Sequence, residues 1–277
     1  MPNATNLQGG IATKLNENIR GYSVGEIQAG GVTTAEIVIK GVGVPVQGLL
    51  DVQYIDSTTM DKRPGMQIKY LPYDYDDTGK LVTGGAYLFD TYEDAQEYAR
   101  WGNEDFVVQD GHKFWEQPMF ESHTGQVWKV VGAYNFAETH EHAVARLQQW
   151  EYTGKDEDVE DALKKLYPSL KEAAQQQGAT SIWVLFSPLS KRVGVELGFG
   201  KVSKVVNEDT AKQSLEAARE KESLHGWLAK SGLEVNKVVD KSSLLLTLWL
   251  PKSRQAGGTE LAIPWYPFVP DITHEHS

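Results

Sequence analysis

The sequence predicts an α+β protein of two repeated units, each an antiparallel sheet with helices on one side, the two sheets packed as an α/β barrel within one chain. Three observations predict it. A hairpin of two strands runs straight into a helix in the first half, and the same order returns in the second. The length of 277 residues exceeds one such unit of about 100 residues and suits two. Hydrophobic residues make up 40%, ample for a core, yet no apolar run approaches the roughly 18 residues of a membrane span.

Residues 1–31 are rich in Gly, Asn and Gln and read as a flexible arm. Residues 33–40 alternate Ala35, Ile37 and Ile39 with Thr34, Glu36 and Val38, the period of a half-buried strand. Residues 48–55 read as another strand. The hairpin follows, with strands 66–71 and 81–89 around the polar turn 73–79. Gly84 and Gly85 fall mid-strand, where glycine weakens pairing unless the backbone is closely approached or bulged. Thr91 caps a helix and Asp94 completes a capping box, with Tyr92, Ala95, Tyr98 and Ala99 on one face. Residues 106–120 are irregular and aromatic. Residues 126–136 form a long strand with Trp128, Val130, Gly132, Tyr134 and Phe136 on one face, and 139–152 read as a helix.

The second half begins with a helical region, 159–177, which Pro168 interrupts and Gly178 ends. A second hairpin pairs 181–187 with 192–202 around 188–191. A helix over 209–231 and a closing strand over 243–250 follow. The order α-β-β-α-β is ferredoxin-like once a preceding strand supplies its first β. Residues 126–136 could be that strand or the last strand of the first unit. The chain thus divides into the arm 1–31, a first ferredoxin-like unit 32–136, a second 137–250, and a tail 251–277. The tail's Pro264-Trp265-Tyr266-Pro267-Phe268 is too apolar for a solvated linker and reads as an extended cover over a barrel edge.

The run Pro64-Gly65-Met66-Gln67-Ile68-Lys69-Tyr70, with Thr83-Gly84-Gly85-Ala86-Tyr87-Leu88-Phe89-Asp90-Thr91 and the acidic helix behind it, resembles the small mono-oxygenases of the dimeric α/β-barrel superfamily. The likeness covers about residues 48–136. It implies a cavity between a sheet and its helices, a small hydrophobic, aromatic or polyketide-like substrate, and mono-oxygenation without a cofactor. The same pocket would also serve a lyase, dehydratase or isomerase reaction. A non-catalytic ligand-binding protein would keep the cavity without a titrating group inside it. Some superfamily members carry haem on a histidine, so a haem- or metal-dependent enzyme is a further alternative.

Composition bounds the partners. Acidic residues outnumber basic ones 38 to 27 with no Lys/Arg block, which argues against nucleic acid. The absence of cysteine removes disulfides, thiolate catalysis and zinc–thiolate sites, and fits a cytoplasmic protein. Residues 1–10 lack a basic region and an apolar core, so no secretory signal is visible. A Gly-x-Ser-x-Gly elbow, a phosphate-binding loop and a dinucleotide fingerprint are all missing. The expected partner is a small hydrophobic molecule, with a homodimer as the oligomer to test.

Three side chains are the candidates for acid–base work. Glu196 stands between Gly194 and Gly198 on one face of its strand, and if that face points inward its carboxyl is desolvated and its pKa rises. His140 and His142 follow the aromatic strand, whose Tyr134 and Phe136 would face the cavity, so that the turn at 137–139 delivers one histidine to its rim. Two histidines two apart diverge on a helix, so no metal ligand set is assigned to them. The long aromatic loop supplies Trp115, Glu116 and His123 as binding residues, joined by Tyr87, Trp128, Tyr134 and Trp183.

Overall fold

The computed structural model of the protein describes residues 24–46, 48–49, 59, 62–108, 110–137, 143–200 and 208–249. Among them β1 (Gly25–Glu26), β2 (Gly31–Val42), β3 (Met66–Tyr75) and β4 (Lys80–Phe89) lead into helix α1 (Tyr92–Glu104). A 3-10 turn, Phe114–Glu116, precedes β5 (Phe120–Asn135). The second half runs β6 (Val144–Tyr152), α2 (Asp156–Gln176), β7 (Ser181–Ser187), β8 (Arg192–Phe199), α3 (Glu208–Arg219), α4 (His225–Lys230) and β9 (Val235–Trp249).

Spatial order is β5-β2-β4-β3 in the first half and β9-β6-β8-β7 in the second, so both are ferredoxin-like sheets with the same connectivity. All pairings are antiparallel. β3 pairs with β9 and β5 with β7, which closes the eight strands into a barrel. β1 lies against the last residues of β5, Gly25 opposite Asn135. Closure removes the open sheet edges that invite association with other chains.

The closed sheet has two faces and hence two cores. Ile68, Tyr70, Leu88, Trp128, Trp183 and Leu185 pack inside the barrel. Phe89, Trp101, Trp150, Leu163, Leu170 and Phe186 belong to the core between the sheet and the helices. Alternation assigns each strand residue to one or the other. On β4, Ala86 and Leu88 point inward while Tyr87 and Phe89 face the helix layer.

The first hairpin and α1 form as their sequence predicts. Asp76 Oδ1 accepts from the backbone nitrogens of Thr78 (2.9 Å) and Lys80 (3.0 Å), fixing the hairpin turn. Thr91 Oγ1 accepts from the Asp94 backbone nitrogen at 3.0 Å and donates to its carboxylate at 2.7 Å. Both glycines of β4 are tightly approached. A Cβ on Gly84 would overlap the Ala35 carbonyl oxygen across the strand pair, and one on Gly85 would enter the Tyr87 ring.

Five expectations need correction. Residues 144–152 are strand β6, not helix. Its Ala, Leu, Gln and Arg content favours a helix locally, but hydrogen-bonded neighbours on both sides, β8 and β9, override that propensity. β6 therefore supplies the first strand of the second sheet, and β5 is the last strand of the first while also pairing with β7. The face expected on residues 126–136 is split by a bulge between Val130 and Gly132. Trp128 and Val130 face the barrel interior, while beyond the bulge Gly132 packs under Tyr167 of α2.

Pro168 does not interrupt α2, whose 21 residues are continuous. Burial of Val159, Leu163, Leu170 and Ala174 along one face offsets the ~3 kcal/mol that an interior proline costs. The helix expected over 209–231 is two, broken after Arg219. Side chains of β6 hold the break: Arg146 donates to the Lys221 carbonyl (2.7 Å), and Gln148 Oε1 accepts from the Leu224 nitrogen (3.1 Å). Finally, Gly48 and Leu49 are helical rather than extended. The tail 251–277 and most of the arm lie outside the described residues.

Candidate functional site

The first unit keeps an open space where its sheet meets α1 and the aromatic loop. The cavity holds about 410 Å³. Its floor is the helix-facing side of β2, β3, β4 and β5, with Thr33, Ile37, Leu71, Thr83 and Val127. Small residues keep it open, since Gly84, Gly125, Ala99 and Gly102 contribute backbone or a single carbon. A Cβ on Gly102 would lie 3.7 Å from the Trp115 indole nitrogen, so the helix and loop are already in contact there.

Aromatic rings form a continuous wall from the core to the rim. Phe89 contacts Tyr98 (5.2 Å between centroids), Tyr98 contacts Trp101 (5.7 Å), and Trp101 stacks on Phe106 (4.4 Å). Phe106 stacks on Phe114 (5.2 Å), Phe114 meets Trp115 edge-on (4.8 Å), and Trp115 stacks on His123 (4.6 Å). Ring pairs at such spacings are worth about 0.5–1.5 kcal/mol beyond their buried area. The irregular stretch after α1 is held by these ring contacts together with a short antiparallel backbone pairing, Val107 opposite Lys113 and the Phe114 nitrogen donating to the Phe106 carbonyl at 2.9 Å.

One cation enters this apolar space. Lys69 is 5% exposed, and its ammonium lies 5.2 Å from the centroid of the Tyr87 ring. Tyr87 in turn packs on Tyr98 at 4.8 Å. The described residues lining the cavity include no Asp or Glu. A buried ammonium ordinarily needs a paired anion, and here the described walls offer ring faces, hydroxyls and the side-chain amides of Asn103, Gln117 and Gln126 but no carboxylate. Sequence reading passed over Lys69. The signal was present, because strand alternation puts it on the same face as Leu71 and Tyr73 in an otherwise apolar strand.

Of the sequence-predicted site residues, Tyr87, Trp115 and His123 meet at this cavity, with His123 at its exposed rim. Glu116 is exposed on the 3-10 turn and does not line it. Trp128 points into the barrel, where its indole nitrogen donates to Thr34 Oγ1 at 2.9 Å. Trp183 and Glu196 also lie on the barrel's inner side and are directly paired across β7 and β8. Tyr134 faces outward, with Lys171 Nζ 4.7 Å from its ring. The β5 bulge takes it off the face of Trp128 and turns it to the helix side over α2, where it does not line the Lys69 cavity. His140 and His142 lie outside the described residues. His112 is exposed and contacts Asp110 at 3.1 Å.

Glu196 is 7% exposed, and burial alone pushes its carboxyl up to about 8. The sheet separates it from the Lys69 cavity, so the two groups do not act on one bound molecule. Among the described residues no cluster of three His, Asp or Glu side chains is placed to hold a metal ion, and no helix is long and apolar enough to cross a membrane.

No protein-family model matches the sequence, and no curated protein matches it closely enough to count as a relative. Solved structures do match. An anthrone oxidase-like protein aligns with 84% of this chain and 96% of its own at 15% identity and a TM-score of 0.50. A candidate monooxygenase from Fusobacterium nucleatum aligns with 78% of this chain and 91% of its own, at 10% identity and a TM-score of 0.48. One from Lactobacillus acidophilus covers 80% and 97%, at 12% identity and 0.45. Together with the strand order, the likeness establishes the fold: a ferredoxin-like α/β barrel with both units in one chain.

Proposed function

We propose that the chain is an enzyme that binds a small aromatic compound bearing an acidic C–H or phenol in the Lys69 cavity and oxidises it with dioxygen. The observation that carries this is a buried ammonium inside an aromatic-walled cavity whose described lining has no carboxylate. Such a cavity favours the anion of the substrate over its neutral form, which lowers the cost of deprotonation. His123, at the rim, is the group assigned to accept the proton. The carbanion then reduces dioxygen, the new C–O bond gives a hydroperoxide, and loss of water leaves a carbonyl. One oxygen atom enters the product and the other leaves as water, so no further reductant is needed. The fold shared with an anthrone oxidase-like protein is consistent with this chemistry.

The test is oxygen uptake with anthrone, alongside equilibrium binding of the same compound under nitrogen. Wild-type protein should consume one dioxygen per anthrone and yield the quinone. His123→Ala should lower the rate by about 10²–10⁴-fold and leave binding in place. Lys69→Met should lose binding itself. Binding without oxygen uptake would overturn the oxidase reading and leave a carrier, and unchanged binding in Lys69→Met would overturn the site.

A further inference from the structure

The barrel interior holds a second cavity, on the other face of the sheet from Lys69. It encloses about 870 Å³. Glu196 lies at its inner end, and Glu36, Asp74, Asp76 and Asp77 lie along its lining. Among the described residues Glu196 Oε2 has no hydrogen-bond partner, and neither has the indole nitrogen of Trp183 on the adjacent strand. Gly194 and Gly198 flank Glu196 on the same face of β8, and the Trp128 ring fills the room beside Gly194, 3.3 Å from where a Cβ would lie. Tyr70 and Trp183, whose centroids are 5.5 Å apart, belong to the packed core behind Glu196, and Tyr75 is the aromatic residue of the cavity's described lining.

The charges around this cavity are unequal. Its cations are all engaged: Arg219 pairs with Asp74 (2.8 Å), Lys241 with Glu36 (2.6 Å), and Arg192 with Glu151 (3.6 Å) and Gln149 (3.1 Å). Asp240 is taken by Arg146. Asp76 holds the hairpin turn, and Asp77 is exposed with no ion pair among the described residues. The neighbours opposite Glu196 on β6 and β7 are Leu147 and Trp183, neither of them charged. A buried carboxyl that no described cation satisfies and an acidic approach together select a positively charged guest.

We infer that the barrel interior is a second ligand site, for a small organic cation such as a primary ammonium, with Glu196 as its counter-ion. It is independent of the oxidation assigned to the Lys69 cavity. The guest's ammonium ion pairs with Glu196, and the proton that Glu196 carries when unliganded is released to solvent. Affinity therefore rises with pH until Glu196 is ionised without a guest.

Titration calorimetry with benzylamine, and with benzyl alcohol as the uncharged isostere, tests this. Benzylamine should bind wild-type protein with an affinity that rises by up to about tenfold per pH unit between about pH 6 and 8. Benzyl alcohol should bind at least about tenfold more weakly. Glu196→Gln should lose the preference for the amine, whereas Lys69→Met should keep it. In wild-type protein near neutrality, comparison of buffers with different ionisation enthalpies should show close to one proton released per benzylamine bound, a measurement that needs no variant. Absence of benzylamine binding, equal binding of the alcohol, an unchanged Glu196→Gln variant, or no proton release would each overturn the inference.

Discussion

Lys69 in the first unit and Arg146 in the second are both buried cations on the helix-facing side of a ferredoxin-like sheet, and they have opposite surroundings. Arg146 is 3% exposed and fully bound by the protein. It reaches Asp240 with two bonds, at 2.8 and 3.0 Å, and the carbonyls of Ala218 and Lys221 at 3.0 and 2.7 Å. Burial pushes the Asp240 carboxyl up, but Arg146 outweighs it and holds the carboxyl below its ordinary range. Gln148 extends the network to α4 by accepting from the Leu224 nitrogen. The second sheet's helix side is thus filled and locked. Lys69 has a ring face and an open cavity instead. The same connectivity built twice gives a strut in one unit and a site in the other, because side chains rather than topology decide which space is filled.

The comparison is open to direct tests. Arg146→Met should cost about 3–5 kcal/mol in denaturant unfolding, because Asp240 and two carbonyls lose their partner. Lys69→Met should leave the unfolding midpoint unchanged or raise it, since it removes a buried charge whose described surroundings hold no anion. Comparable losses in both variants would break the distinction between strut and site.

Glu196 is a buried carboxyl with no ion pair among the described residues, and its effect appears in pH dependence. Its carboxyl titrates near 4.5 when unfolded and is raised to about 8 when folded. The folded chain therefore keeps a proton that the unfolded chain has lost. The stability this contributes is complete below the unfolded value and is lost as pH rises through the folded one. Wild-type melting temperature should fall between about pH 5 and 9 relative to Glu196→Gln, a difference on the order of a few kcal/mol. Parallel melting curves for the two proteins across that range would contradict it.

A smaller effect should sharpen the account of the open cavity. Gly85→Val would drive the Tyr87 ring from its place and cost about 1–3 kcal/mol by overpacking. Anthrone binding should weaken more than stability does, because Tyr87 is both the wall and the ring beside Lys69. A variant with wild-type melting and binding would show that the ring has room to move elsewhere.

Much of this chain was legible because its local signals agree with its fold. Alternation gave both hairpins, the Thr91 box gave the start of α1, and paired glycines marked a close approach on β4. The glycines flanking Glu196 suggested open space beside a carboxyl, but the Trp128 ring fills the room at Gly194. β6 was misread because its residues suit a helix and only the strands on either side make it extended. Tyr134 was misplaced because a bulge reverses every later side chain and leaves no mark in composition. Lys69 stood in a quoted motif, yet its importance lies in what the described walls omit.

The sequence by itself determined the repeated hairpin–helix order, the apolar periods that make two sheets, and the residue types available for chemistry. These follow from interactions between residues close along the chain. Tertiary structure alone decided that β5 joins both units, that the helix-side space is filled around Arg146 and open around Lys69, and that Glu196 and His123 lie on opposite faces of one sheet. Those outcomes depend on pairing between strands far apart in the chain. A one-residue shift in that pairing carries a side chain from one cavity to the other.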